Sequence, residues 1–242
     1  MYSSFNDKNI EITREDINRI INFTPINVSH YQQAFIHKSV LRFLNTDTIN
    51  TSFERYEFLG DSVLNLIVAN YLFLNFKDKE EGFLTKIRTR LVNGKTLSFL
   101  AKKLDLQKFL IISQNVEYTN GRENERILED IFESLLCAIY LDLGYKYTEK
   151  FYLNLIKKYI DFEDIKTDNN YKDILLRYCQ ANMQTTPTYK LVSTEGKTQN
   201  RVFTSIAVIN DIDYEIGKGK TKKISEQEAS KNTLIKLGIN IV

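Results

Sequence analysis

The hydrophobic residues of this chain change their spacing once along its length, and that change most constrains its fold. From about residue 10 to 160 they recur at the 3.6-residue period of α-helices, and no persuasive strand pattern interrupts them. From residue 171 a short helical segment is followed by three β-branched and aromatic runs, separated by turn residues, and by a closing helix. The sequence therefore predicts an all-α domain over residues 1–160, a linker over 161–170 and a small α+β domain, ordered α-β-β-β-α, over 171–242.

The composition is that of a soluble globular protein, with 43% hydrophobic and 26% charged residues. No uninterrupted apolar run approaches the roughly 18 residues that a membrane span requires, and the first residues lack the layout of a signal peptide. We therefore expect an intracellular protein, most simply a cytoplasmic one, with no membrane partner.

Positive charge is concentrated towards the end of the chain. Residues 171–242 contain 11 Lys and Arg against 7 Asp and Glu, a net charge of +4, whereas the preceding residues have a net charge of −2. This imbalance is compatible with nucleic-acid binding but does not establish it.

Cysteine and histidine are scarce, which restricts the kinds of site that the chain can build. Cys137 and Cys179 lie far apart in helical patterns, so we expect both to be reduced and packed. The two histidines, His30 and His37, are too few for a typical zinc site. Any bound metal would therefore be a hard cation held by carboxylate oxygens.

The segment ERYEFLGDSVL, residues 54–64, places three acids on a helix that is otherwise apolar. At 100° per residue, Glu54, Glu57 and Asp61 fall within about 60° of one another, on a stripe that apolar residues continue. Glu54 could complete a capping box with Thr51, and Glu57 suits the positive end of the helix dipole. Asp61 lies too far inside the helix for either role, and an acid among apolar neighbours requires a charged partner.

A second acid pair lies in RILEDIFESLLCAIYLDLG, a predicted helix that ends at Gly144. Asp130 and Glu133 are three residues apart and share one side of that helix. Such a pair on one helix is usually a solvated edge. If this helix packs against residues 54–64, however, four carboxylates converge, and their repulsion requires divalent cations. Oxygen-only ligands suit Mg²⁺ or Mn²⁺, so the pattern indicates metal-assisted phosphodiester hydrolysis.

These segments resemble the ribonuclease III family. ERYEFLGDSVL is similar to the family signature ERLEFLGDSVL, with Tyr56 in place of leucine, and AFIHKSV, EEGFLTKIRTRLVNGKTL and the helix ending in YLDLG resemble three further family motifs in the same order. The region after the linker resembles a double-stranded-RNA-binding domain. The resemblance covers nearly the whole chain.

The resemblance implies a site, a partner and an assembly. It assigns the metal-binding catalytic acids to Glu57, Asp61, Asp130 and Glu133, and auxiliary acids to Glu54 and Glu81. It implies an all-helical, homodimeric nuclease domain that uses Mg²⁺, with Mn²⁺ as a substitute. The expected activity is cleavage of double-stranded RNA that leaves 5′-phosphate and 3′-hydroxyl ends with short 3′ overhangs.

Three further positions near the acids depart from the family pattern. Glu129 stands where a small residue usually precedes the catalytic Asp, Ser134 replaces an alanine, and Asn124 occupies a position that is commonly basic. An additional acid beside the site could alter metal affinity or pH dependence, but it does not predict inactivity.

The last helix and its approach carry the expected RNA contacts. Lys222 and Lys223 stand at the start of this helix, where basic side chains and free backbone N–H groups favour phosphate. Ser225 is the expected N-cap, with Glu228 completing a capping box and Gly238 ending the helix.

The resemblance also implies contacts of the RNA minor groove with Gln180 and with the loop after Gly196. That loop reads GKTQNRVF where Gly-Pro-x-His is usual, so Lys197 and Gln199 replace proline and histidine. Gln199 retains hydrogen-bonding capacity. Domains of this kind recognise A-form shape, so we expect weak sequence preference and strong salt dependence.

Two alternatives remain open at this point. One is a non-catalytic protein that binds, sequesters or scaffolds duplex RNA and keeps the nuclease domain for dimerisation. The other is a nuclease of DNA or of unstructured RNA, which the duplex-RNA module disfavours. The complete set of acids favours the enzyme, because a purely structural protein has no need to retain every ligand.

Overall fold

The computed structural model describes residues 8–43, 52–162, 170–196 and 200–239. The chain divides into two compact units, of which the first ends at Phe162 and the second occupies the remaining residues. Most of the predicted linker, 161–170, lies outside the described residues.

The first unit is helical. Its α-helices are α1 (Arg14–Ile21), α2 (Val28–Gln33), α3 (Glu54–Asn75), α4 (Glu81–Leu91), α5 (Gly94–Lys103), α6 (Gln114–Tyr118), α7 (Glu125–Leu143) and α8 (Tyr145–Tyr159), with short 3₁₀ helices at Lys38–Phe43, Leu106–Phe109 and Gly121–Glu123. Within the described part of this unit, an isolated bridge joins Ile36 and Ile111, and no extended strand is present. The predicted all-α domain is confirmed.

Helix α7 forms the centre of this unit. Its residues from Ile131 to Ile139 are all buried, and α3, α5 and α8 pack around it. Such a helix reads as apolar on nearly every side, which explains the dense hydrophobic sequence of this segment. Cys137 lies in this stretch, and it and Cys179 of the second unit are buried and unpaired, as expected.

The last turn of α7 is tied to the chain around α2 by Asp142. Its carboxylate accepts hydrogen bonds from the backbone N–H groups of Ile26 (3.0 Å) and Asn27 (2.7 Å) and from the Tyr31 hydroxyl (2.9 Å). A carboxylate with three donors is well satisfied, so this acid anchors the fold.

Helix α3 buries one side against α7 and leaves part of the other side uncovered in the single chain. Phe58, Leu66 and Phe73 are 78%, 58% and 71% exposed, and they follow one another along one side of the helix. By length and composition alone α3 is also apolar enough to cross a membrane, although the sequence has no uninterrupted apolar run of that length. Core helices of soluble proteins pass the same test, so one such helix is weak evidence for a span.

The second unit contains the predicted α-β-β-β-α order. Helix α9 (Tyr171–Met183) precedes an antiparallel sheet of β1 (Thr188–Glu195), β2 (Val202–Ile209) and β3 (Ile212–Gly219), in the order β1-β2-β3, and α10 (Lys222–Lys236) follows. Its core contains Leu175, Cys179, Ala207, Ile209, Ala229 and Leu234.

The predicted start of the last helix is wrong by one turn. The N-cap of α10 is Thr221, whose side chain accepts a hydrogen bond from the Ile224 N–H, and not Ser225. Ser225 is buried and shares a 2.7 Å hydrogen bond with Ser205 of β2. Strand β3 approaches α10 so closely that a Cβ atom on Gly217 would overlap the α10 backbone, which places Ser225 inside the unit. Glu228 therefore does not complete a capping box.

Candidate active site

The candidate site lies where α3 and α7 are in closest contact. A Cβ atom on Gly60 of α3 would overlap the carbonyl group of Glu133 on α7, so only glycine permits this separation of the two helices. Gly60 comes one residue before Asp61 and three after Glu57. The contact therefore brings the acids of α3 alongside those of α7.

Burial differs among the four predicted metal ligands. Glu133 is only 7% exposed, and its burial raises its pKa to about 8. Asp130 is half-buried, and burial raises its pKa to about 7. On α3, burial also raises the pKa of Glu57, whereas Asp61 is exposed.

The four acids also repel one another across the two helices. The charges of Asp61, Glu57 and Asp130 add to the effect of burial on Glu133, and the charge of Glu57 adds to the effect on Asp130. We call these four residues the carboxylate cluster. As the side chains stand, no three acidic, histidine or cysteine residues in the described ranges converge tightly enough to hold one metal ion.

Glu54 lies beside the carboxylate cluster but has a cationic partner. Lys38 donates a 2.7 Å hydrogen bond to its carboxylate, and the Ser52 hydroxyl donates another at 3.1 Å. The Lys38 hydrogen bond lowers the pKa of Glu54. Because Phe53 is the N-cap of α3, Glu54 is the first helical residue and does not occupy the third position that a capping box requires.

Lys38 is a site residue that sequence reasoning did not single out. The hydrogen bond with Glu54 raises the pKa of Lys38, and the charges of Asp130 and Glu57 contribute to the rise. Its only sequence signal is its place in AFIHKSV, a segment that resembles a family motif.

The unusual acid Glu129 faces the same region. Burial raises its pKa, the positive charge of Arg126 opposes that rise, and the charge of Asp61 adds to it. Its carboxylate lies against the α-carbon of Gly94, where a Cβ atom would overlap it. In this side-chain conformation a fifth acid lies beside the cluster, in space that the glycine at the start of α5 leaves open.

Of the other two departures from the family pattern, Asn124 has a structural role, whereas no contact explains Ser134. The side chain of Asn124 caps α7 by accepting a 2.9 Å hydrogen bond from the Arg126 N–H. The Ser134 hydroxyl is buried, and no hydrogen-bond partner for it lies within the described part of the chain.

The structure does not place Glu81 in the carboxylate cluster. Glu81 is the exposed first residue of α4, and it accepts a 2.6 Å hydrogen bond from the Thr85 hydroxyl. It lines a groove of about 440 Å³ together with Leu66 and Phe73, which lie on α3 beyond Asp61. Its auxiliary role stays a prediction.

Three of the four predicted RNA-contacting residues can be located. Gln180 is exposed on α9, and Lys222 and Lys223 are exposed in the first turn of α10, beside its free backbone N–H groups. Gln199, like Lys197, lies outside the described residues. The contacts themselves stay predictions.

Comparison with known proteins identifies a related family for each of the two units. Residues 27–160 match a family described as Ribonuclease-III-like, and residues 171–237 match the double-stranded RNA binding motif. Ribonuclease 3 of Caldanaerobacter subterraneus is 42% identical over 177 residues, which cover 72% of this chain and 77% of that protein. Ribonuclease 3 of Staphylococcus haemolyticus is 35% identical over 220 residues, which cover 91% and 89% of the two chains.

A solved structure shows the same helical fold. The nuclease domain of ribonuclease III from Campylobacter jejuni, in which a region is involved in dimer formation, superposes with a TM-score of 0.55 at 33% sequence identity. The similarity covers 61% of this chain and 99% of that domain.

Proposed function

The chain belongs to the ribonuclease III family and is a ribonuclease III-type endonuclease with a double-stranded-RNA-binding domain, and we propose that it cleaves duplex RNA by divalent-metal-assisted hydrolysis. The observation that carries this proposal is the approach of Glu57 and Asp61 on α3 to Asp130 and Glu133 on α7. By analogy with the family, the products carry 5′-phosphate and 3′-hydroxyl ends with short 3′ overhangs.

The donor set fits a hard divalent cation. The cluster offers only carboxylate oxygens, and both acids of α7 hold their protons more tightly than usual because burial and neighbouring charges oppose ionisation. Because these carboxylates repel one another, a cation that prefers oxygen ligands, such as Mg²⁺ or Mn²⁺, stabilises the cluster. Glu57, Asp61, Asp130 and Glu133 would hold it, after side-chain adjustment. When bound, the cation supplies charge neutralisation at the phosphate and a nucleophilic water near neutral pH.

The protein's own side chains have separable tasks in this proposal. Glu133, which is buried between the two helices, and Asp130 provide the fixed side of the site and release their protons on loading. Asp61, which is exposed, provides the side that faces an arriving phosphodiester. Lys38 neutralises Glu54 and so lowers the negative charge that an anionic substrate meets beside the cluster.

The second unit supplies binding to duplex RNA. At the start of α10, Lys222 and Lys223 stand beside the backbone N–H groups of the first turn, an arrangement that favours phosphate oxygens. Such contacts depend on the charge and shape of the A-form duplex, and they carry little sequence information.

We further propose that the nuclease unit forms a homodimer through α3. Phe58, Leu66 and Phe73 expose a stripe of large apolar side chains, which is costly to leave in water. Leu66 and Phe73 of that stripe also line the groove of about 440 Å³ between α3 and α4, so the uncovered apolar surface continues towards α4. The related Campylobacter jejuni domain also has a dimer-forming region.

The central experiment incubates long duplex RNA with the full chain and Mg²⁺ and follows cleavage and gel retardation. We expect wild type to cleave, Glu133→Gln to bind without cleaving, and Glu125→Gln, an exposed acid at the start of the same helix, to behave as wild type. If wild type retards the duplex and leaves it intact with either Mg²⁺ or Mn²⁺, the enzymatic proposal is wrong and a binding or scaffolding protein is the better description.

A further inference from the structure

Asp61 is the most exposed member of the carboxylate cluster, yet its carboxylate is held by a neighbour on its own helix. The side-chain amide of Asn65, one turn later on α3, donates a 2.7 Å hydrogen bond to Oδ1 of Asp61. The same amide nitrogen lies 3.0 Å from the backbone carbonyl oxygen of Asp61 and donates to it as well. One amide group therefore ties the carboxylate to the backbone that carries it.

We infer that Asn65 is a positioning residue that orients the Asp61 carboxylate for a divalent cation. The inference rests on the proposed function, because it assigns a task within the proposed metal site. With Oδ1 engaged by the amide, Oδ2 keeps its lone pairs available for a cation. Restraining one oxygen lowers the conformational entropy that the side chain must lose when it binds a cation.

The chemical type of residue 65 matters to this role. An amide donates a hydrogen bond without a charge, so it orients Asp61 and leaves its negative charge intact for the cation. Glu54, on the same helix, shows the contrasting case, since Lys38 both binds and neutralises it. A lysine at position 65 would compete with the cation, and an acid there would add to the repulsion within the cluster.

The same helix provides a matched control. Asn75 also donates a hydrogen bond to a carbonyl oxygen four residues earlier, that of Tyr71, at 2.7 Å. This bond is common for short polar side chains in helices and reaches no acid. The substitution Asn75→Ala therefore measures the general effect of removing such a hydrogen bond from α3, while the carboxylate cluster stays unchanged.

The test measures equilibrium Mn²⁺ binding to the metal-free full chain by titration calorimetry, in the absence of RNA. We expect Asn65→Ala and the similarly sized Asn65→Leu to weaken Mn²⁺ affinity by about tenfold or more, the effect typical of partners that orient metal ligands. Asn65→Gln retains a donor that can reach an acid four residues away, so it should restore most of the loss. Asn75→Ala should bind Mn²⁺ as wild type does, and circular dichroism should show native helix content in all four variants.

Cleavage assays add a second readout. Asn65→Ala should require about tenfold more Mg²⁺ for half-maximal cleavage and reach a plateau close to that of wild type, because excess cation offsets the cost of orienting Asp61. If Asn65→Ala and Asn65→Leu both bind Mn²⁺ as tightly as wild type, the positioning role is wrong even though the enzyme cleaves. If wild type itself binds no Mn²⁺, the proposed metal site is wrong and the inference is lost with it.

Discussion

The α-carbon of Gly60 lies directly against the main chain of Glu133, so that α3 and α7 are in backbone contact at the carboxylate cluster. Any larger residue at position 60 must push the helices apart, because the atom it meets is backbone carbonyl and cannot rotate away. The separation of the acids thus depends on a residue that contributes no functional group.

We expect Gly60→Ala to destabilise the protein by about 1–3 kcal/mol, the usual cost of overpacking, despite a gain of roughly 1 kcal/mol in helix propensity. Gly82→Ala is the matched control, since open space surrounds that helical glycine, and it should be neutral or slightly stabilising. Urea denaturation followed by circular dichroism measures both. Equal stability of Gly60→Ala and wild type would show that the helices can separate at no cost.

The raised pKa values of the α7 acids make the stability of the metal-free protein depend on pH. In the folded chain Asp130 and Glu133 have pKa values of about 7 and about 8, whereas in the unfolded chain both lie near about 4. Because the folded state binds more protons between these values, the contribution of the two acids to the free energy of unfolding falls as the pH rises from about 4 to about 8.

Thermal unfolding in chelator-treated buffer should reveal this effect. We expect wild type to lose stability relative to Glu133→Gln between about pH 5 and about pH 8, and saturating Mg²⁺ to reverse the loss in wild type. A constant difference between the two proteins over this range would contradict the raised pKa of Glu133.

Replacement of Phe58 tests the proposed dimer. Phe58→Ser removes the most exposed large side chain of the α3 stripe, so we expect the sedimentation coefficient to shift towards that of a monomer. Ile235→Ser, which alters an exposed apolar residue of the second unit, should leave the assembly unchanged. A wild-type chain that sediments as a monomer at micromolar concentration would refute the proposed interface.

Substitution of the two lysines at the start of α10 should weaken binding to all duplex RNA sequences alike. For Lys222→Ala and Lys223→Ala we expect the slope of log affinity against log salt to fall by about 1 for each lost phosphate contact. Lys236→Ala serves as the control, because Lys236 lies at the opposite end of α10 and pairs with Glu215 at 2.6 Å. If all three variants show the wild-type slope, the RNA-binding surface lies elsewhere on the unit.

Features that follow from local periodicity could be predicted from the sequence. The spacing of apolar residues indicated the helical first unit and the α-β-β-β-α second unit, and helical spacing placed Glu57 with Asp61 and Asp130 with Glu133. That these two pairs face each other required the assumption that their helices pack together. Their role as metal ligands stays a prediction.

Features that depend on contacts between distant segments could not be predicted, because the spacing of residues in the sequence does not indicate them. Lys38 reaches Glu54 from a separate 3₁₀ helix, and the approach of β3 to α10 buries Ser225, which reads as a helix cap in isolation. Local propensity cannot identify such residues, because the same residue type is equally suited to a cap, a solvated surface or a packed interface.

Helix α3 presents three faces that serve packing on α7, the carboxylate cluster and the exposed apolar stripe. Successive residues in a helix are separated by a fixed rotation of about 100°, so one inserted or deleted residue would turn every later side chain onto a different face. Point substitutions affect one face at a time, whereas a change of length would disturb all three together. During the divergence of related chains, insertions and deletions should therefore be excluded from this helix and accumulate on either side of it.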